Sequence, residues 1–429
     1  MNKLRFLLSI LAAFFLFACE AEIDEHVPSA GEIDLTTYVA VGNSLTAGFT
    51  NSELYREAQL HSVGNIIASQ FMHAGLNEFN QPLMKDELGF GNRLVLGVVN
   101  GELMPVPVGG NPDPANNENI FEAEGPFHNM GVPGARTNHV LFPGYGTLNP
   151  YFGRFASAPT ASVLGDAMAM NPSFFSLWLG NNDILGYAIS GGEGDGITPV
   201  AEFEQLYQSI IDQLTANGAK GVLGNIPGIT MIPFFNTIPY NPIVLEDPDI
   251  VDFLNNEYAA LPHINFSLGQ NPLVVEDMNP DYAPFFRRQL EEGEMVLLTA
   301  MEKLNDPEIN YGVAEPLPSQ YYLSLEQIAE IEQAVDDYNA IIVDFATAKE
   351  LAVADIYSLL DSAVSGIYFD AIEFSTEFVA GGVFSLDGIH LSARGSANAA
   401  NEFIAAINKT YNASIPKSAI GEFDGIIFP

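Results

Sequence analysis

Thr36-Thr37-Tyr38-Val39-Ala40-Val41 runs directly into Gly42-Asn43-Ser44-Leu45-Thr46-Ala47-Gly48, and the reading of the whole chain turns on this stretch. The first six residues are β-branched, aromatic or small, the pattern of a strand buried on both faces. Gly42 and Gly48 let the backbone turn tightly around the serine. A serine placed after a strand and before a helix lies at the carboxyl edge of a sheet. Backbone N–H groups and the positive end of the helix dipole favour a developing oxyanion there.

The same alternation recurs downstream. Residues 93–99, 174–179, 221–226 and 351–356 read as strands. Residues 54–71, 203–216, 325–350 and 393–408 carry apolar positions at helical spacing. Buried strands alternating with helices predict an α/β fold whose parallel sheet is covered on both faces, with ligands beyond the carboxyl ends of the strands. Two stretches break the pattern: residues 75–124 are rich in Gly, Pro and Asn, and residues 228–324 are rich in Pro, with a helical patch at 285–304. Both read as insertions in one domain spanning 33–429, with a separate domain as the alternative for the second.

The 429 residues carry 54 Asp+Glu against 15 Lys+Arg, a formal charge of −39, and yet are 48% hydrophobic. Unfolded acidic chains are poor in apolar residues, so this one folds around a large core. The charge argues against nucleic acid and anionic membrane surfaces as partners, since both require a positive face. Cys19 is the single cysteine. It follows Lys3, Arg5, an apolar run over 6–17 and Ala18, the pattern of a secretory signal peptide over 1–18. Leu16-Phe17-Ala18-Cys19 resembles the lipobox of bacterial lipoproteins. That resemblance implies lipidation at Cys19, an acidic tether over 19–32 and a place in the bacterial cell envelope, at the outer membrane or cell surface. The membrane is then touched only through the anchor.

Near the far end stands Asp387-Gly388-Ile389-His390. At this spacing a carboxylate can fold back onto the imidazole Nδ1 and leave Nε2 free as a general base for a serine. Two more segments complete the set. Asn129-Met130-Gly131-Val132-Pro133-Gly134-Ala135-Arg136-Thr137 is a glycine-punctuated turn suited to aiming a backbone N–H, and Leu179-Gly180-Asn181-Asn182-Asp183 offers an asparagine amide after a strand.

In this order the four segments resemble the sequence blocks of the SGNH (GDSL-type) hydrolase superfamily, with Asn43 where that family more often has Asp. The resemblance implies a three-layer α/β/α sandwich with a parallel, flavodoxin-like sheet, here carrying two long insertions. It implies Ser44 as nucleophile, His390 as base and then acid, and Asp387 as the residue that orients His390. The oxyanion hole would be the backbone N–H of Ser44, that of Gly134 and the side chain of Asn182. Gly131 is the alternative to Gly134. No metal and no organic cofactor is implied.

The expected activity is therefore a serine esterase cleaving acyl or acetyl esters through an acyl-enzyme, with a small-molecule, lipid or glycan ester as substrate. The apolar insertions tilt this toward apolar acyl groups, and Phe234-Phe235 and Phe285-Phe286 are candidates for an acyl pocket or lid as well as for core. A non-catalytic surface lipoprotein binding glycan or a protein partner on the same scaffold is the alternative. A binding module within 228–324 is a third reading. His26, His128 and His139 read as bystanders or packing residues and Arg136 as a partner for a nearby carboxylate. The loops at 190–196 and 111–117 lack the ligand spacing of a calcium loop.

Overall fold

The computed structural model describes residues 27–99, 101–306, 308–369 and 371–429. The signal peptide, Cys19, His26 and the tether as far as residue 26 lie outside the described residues. The chain just before Ile33, expected as the end of a solvated tether, is instead hydrogen-bonded to the body. Ser29 N–H donates to Ser414 Oγ at 3.1 Å, and Glu32 N–H to the Tyr411 carbonyl at 2.9 Å.

Five parallel strands form the central sheet: β1 (Tyr38–Gly42), β2 (Asn129–Gly131), β3 (Phe174–Trp178), β4 (Lys220–Gly224) and β5 (Ala352–Ala354), in the order β2-β1-β3-β4-β5. Every residue of β1 and β3 is buried. The order reverses between β1 and β3, so a crevice opens at their carboxyl ends. Gly42 is level with both Gly131 and Trp178, which brings the segments after β1, β2 and β3 to one rim.

Helices cover both faces. After the single turn α1 (Ser44–Ala47), α2 (Val63–Met72) packs with the C-terminal helix on one face. The other face holds α3 (Val163–Ala169), α4 (Asn181–Ala188), α5 (Val200–Thr215) and α6 (Leu325–Lys349). Then come α7 (Ile356–Val364) and the C-terminal α8 (Ala393–Tyr411). In α5 the buried residues Phe203, Tyr207, Ile210, Ile211 and Leu214 recur every three or four positions, which makes one stripe toward the sheet. The Phe203 ring stacks on Tyr338 of α6 at 3.8 Å. Ser324 and Gln327 form a reciprocal capping box that starts α6. This is the α/β/α sandwich with a flavodoxin-like strand order.

Four local expectations change. Residues 54–71 form two helices, Arg56–Leu60 and α2, because Ser62 caps the second by accepting the Asn65 N–H. The strand at 93–99 lies outside the sheet, in a hairpin of Leu94–Val99 with Glu102–Pro107 whose Val98 and Leu103 stay exposed. The helical patch at 285–304 is helical only at Ala300–Leu304. Arg287–Gln289 is instead a strand paired with Val274–Glu276, which sets the buried Arg288 between Asp277 and Glu294, each at 2.6 Å. A buried guanidinium needs such partners, and pairing the strands provides them. Finally, Asn129–Gly131, read as a turn, forms the edge strand β2; three residues with a polar first position show no period. The segment 228–324 also carries small apolar clusters of its own, one around Leu273, Val275 and Leu317 and another around Tyr258 and Phe266.

Gly131 lies directly under α1. A Cβ there would meet Ala47 N at 2.3 Å and Ala47 Cα at 2.7 Å. Gly131→Ala is expected to cost about 1–3 kcal/mol in urea unfolding by overpacking. Gly196→Ala, where a Cβ meets nothing within 4 Å, should stay within about 0.5 kcal/mol.

Candidate active site

The rim where β1, β2 and β3 end is built by short-range polar geometry. Asn43 caps α1, its Oδ1 accepting the Leu45 N–H at 3.0 Å. Its Nδ2 donates to Asn181 Oδ1 at 3.2 Å, joining the first block to the third. Gly48, with φ 90°, ends the turn as its N–H returns to the Ser44 carbonyl. Ser44 is thereby held at the start of α1, only 6% exposed.

His390 reaches this serine from the other end of the chain. Its Nε2 lies 3.0 Å from Ser44 Oγ, and its Nδ1 lies 3.0 Å from Asp387 Oδ2. Asp387 Oδ1 accepts the backbone N–H of Ile389 at 2.9 Å and of His390 at 2.8 Å, while Oδ2 accepts the Ser52 N–H at 2.8 Å. Burial alone would raise the Asp387 carboxyl. The attraction of His390, the bond to its ring and the backbone N–H bonds outweigh that and bring it down to about 2. The Phe49 ring packs on the imidazole at 4.7 Å and limits its rotation.

The structure separates the two glycines. The Gly131 N–H is taken by Asn129 Oδ1 at 2.9 Å. Gly134 is exposed at φ +78°, with nothing within 4 Å in the Cβ direction. Among the described residues, neither Gly134 nor Ser44 gives its N–H to a backbone carbonyl outside the regular elements. Asn182 Nδ2 donates to the Ala135 carbonyl at 2.9 Å, and an amide nitrogen has a second hydrogen to offer. Asp183 fastens the two loops together: it is fully buried and accepts the Thr137 N–H at 3.0 Å, the Thr137 hydroxyl, and the Thr198 hydroxyl at 2.9 Å. Burial raises the Asp183 carboxyl despite these bonds.

Other candidates go elsewhere. His128 is buried with Nδ1 accepting the Asn80 N–H, and His139 stacks on Tyr145. Arg136 pairs with Asp195 at 3.8 Å. Phe235 is core, whereas Phe234 lines the cleft over His390. Among the described residues no group of three or more His, Cys, Asp or Glu is placed to hold a metal ion. The Asn43–Asn181 bond, the Asp183 fastening and the Phe49 contact escaped the sequence. Nothing local in the sequence signals the partner of Asn43, 138 positions away.

The family model for GDSL-like lipase/acylhydrolase matches residues 38–403. The chain belongs to this family. As a GDSL-family member it is an ester hydrolase. Among solved structures it is similar to a catalytic mutant of an acetylxylan esterase from Geobacillus stearothermophilus, with 10% identity over 87% of this chain and 94% of that one, and a TM-score of 0.36. It is also similar to a lipase/acylhydrolase from Enterococcus faecalis, with 11% identity, 89% and 100% coverage and a TM-score of 0.35. An extracellular lipase from Streptomyces rimosus gives 11% identity, 86% and 99% coverage and a TM-score of 0.34. No curated protein matches the sequence. Overlaps this loose say nothing about substrate.

Because the Asp387 carboxyl sits below its ordinary 3.8 in the fold, its contribution to stability is complete above about pH 4 and is lost as pH falls toward 2. The stability gap between the wild-type chain and Asp387→Asn is expected to shrink by about 2 kcal/mol over that window. Urea unfolding at pH 6, 4 and 2.5 measures it.

Proposed function

We propose that this GDSL-family hydrolase cleaves carboxylic esters through an acyl-enzyme on Ser44. The observation that carries this is the 3.0 Å contact of Ser44 Oγ with His390 Nε2, backed by Asp387 at 3.0 Å on the other ring nitrogen. A nucleophile, a base and an orienting carboxylate in that chain of contacts are what acyl transfer requires.

In the first half-reaction His390 takes the hydroxyl proton as Ser44 Oγ bonds to the carbonyl carbon. The carbonyl oxygen becomes negative and is received by the N–H groups of Ser44 and Gly134 and by the Asn182 amide. The carbon–alkoxy bond then breaks, and His390 returns the proton to the departing alcohol oxygen. In the second half a water molecule gives its proton to His390 and attacks the acyl carbon, and the Ser44 oxygen leaves with that proton. Asp387 keeps Nδ1 protonated and steadies the imidazolium.

No observation favours a non-catalytic binding protein on the same scaffold, since nucleophile and base both stand in contact. We place the protein in the cell envelope, anchored by acyl chains at Cys19. The support is Leu16-Phe17-Ala18-Cys19 and the basic, apolar leader ahead of it. Among the described residues no helix is long and apolar enough to cross a membrane.

Two outcomes check the chemistry. Ser44→Ala should lose at least about 1,000-fold in kcat on p-nitrophenyl esters and all labelling by a fluorophosphonate probe; unchanged turnover in that variant would overturn the mechanism. Asn182→Ala should lower kcat by about 100- to 1,000-fold with KM little changed, as the loss of an oxyanion donor does.

A further inference from the structure

Two cavities share Ile389 and His390 in their walls and differ in kind. The smaller, about 60 Å³, is lined by Ser44, Asn182 and His390 and is otherwise mostly apolar, with Leu185, Ile229 and Leu360 among its walls. The larger, about 1010 Å³, lies over Asp387 and His390 and is not lined by Ser44. Both insertions wall it, Leu94 and Met104 from the hairpin and Phe234, Leu298 and Tyr321 from the second segment. Most of the apolar residues that the insertions contribute therefore face the larger space, while Ile229 and Ile232, at the very start of the second, line the smaller one.

An ester has two arms, and the chemistry assigns each to a side. The carbonyl oxygen must lie against the Ser44 N–H and the Asn182 amide. The leaving oxygen must lie within hydrogen-bond reach of His390 Nε2, which delivers its proton. The acyl arm therefore enters the cavity that shares Ser44 and Asn182, and the alcohol arm lies in the cleft over His390.

Size then limits the acyl arm. An apolar cavity of about 150 Å³ accommodates benzene, so in proportion one of 60 Å³ accommodates about two to four carbons. Its walls do not yield easily. Leu360 and Val335 belong to the packed core, and Ile226 is pinned by Asn339, which accepts its N–H at 2.7 Å and donates to its carbonyl at 2.8 Å. The charge of the cleft limits the alcohol arm. Apart from the Asp387–His390 pair, its charged lining residues are Glu193 and Glu302, and among the described residues no lysine or arginine lines it. In a chain of net charge −39 the surrounding field adds to theirs.

We propose that the enzyme removes short acyl groups, of about two to four carbons, from a bulky alcohol that carries no negative charge and is held between its two insertions. This rests on the acyl-enzyme reading above, and the test separates the two. With p-nitrophenyl esters from acetate to palmitate, kcat/KM should peak between acetate and butyrate and fall at least 10-fold by octanoate. Leu360→Ala should raise the hexanoate-to-acetate ratio at least 10-fold, and Leu185→Phe should lower the butyrate-to-acetate ratio. Each is a ratio within one preparation, so partial unfolding cancels. On the alcohol side, 4-acetoxybenzoate should be cleaved at least 10-fold more slowly than phenyl acetate at low salt. Replacing Glu193 and Glu302 by Gln should narrow that gap. An optimum at octanoate or longer, ratios unmoved by both pocket variants, or a gap unmoved by the two glutamines would overturn this proposal while leaving ester hydrolysis intact. No hydrolysis at any chain length would overturn the acyl-enzyme reading and this proposal with it.

Discussion

The contact between Ser44 and His390 joins residues 346 positions apart, and it depends on a clasp between the segment after α1 and the segment before α8. Thr50 Oγ1 donates to the Leu391 carbonyl at 2.9 Å, Asn51 N–H to Ser385 Oγ at 3.0 Å and Ser52 N–H to Asp387 Oδ2 at 2.8 Å. In return Leu386 N–H donates to Asn51 Oδ1 at 3.1 Å. Each bond is worth about 1 kcal/mol net, but several in parallel leave the two segments little freedom to separate. The carboxylate that orients the imidazole is itself a member of this clasp. Positioning of the His390 ring and the joining of these two remote segments are thus one arrangement.

The side proposed to receive the oxyanion is held by a second set of bonds. Asn43 to Asn181, Asn182 to Ala135 and Asp183 to Thr137 tie the ends of β1, β2 and β3 to one another. Pre-set donors of this kind need no rearrangement as negative charge develops, which is why such sites are effective. Neutral Asn43 at the position where the family more often carries Asp gives this set an amide donor, which a carboxylate could not supply.

Much of the fold was legible because it rests on short-range patterns. The apolar runs behind β1, β3 and β4 and the spacing in α5, α6 and α8 all show in the chain itself. β2 was not legible: three residues have no period, and Asn129 is polar because its side chain serves Thr46 and Gly131. The strand at Arg287–Gln289 is not legible as a strand because its pairing partner and the two carboxylates that hold Arg288 come from other segments. Asp387 and His390 were legible as a pair because three positions separate them. Gly131 and Gly134 are equivalent candidates in the chain, and they differ in the fold because the Asn129 side chain accepts the N–H of Gly131.

The family, the alternation of strand and helix, and the residue types available for acyl transfer can all be read along the chain. These follow from local propensity and from motifs a few residues long. That Ser44 and His390 touch, that both insertions wall the side facing His390, and that the space beside Ser44 is small emerge only once the elements are packed. Distances between remote segments and the volume left between packed walls are set by how the elements stack, and no residue carries that information alone.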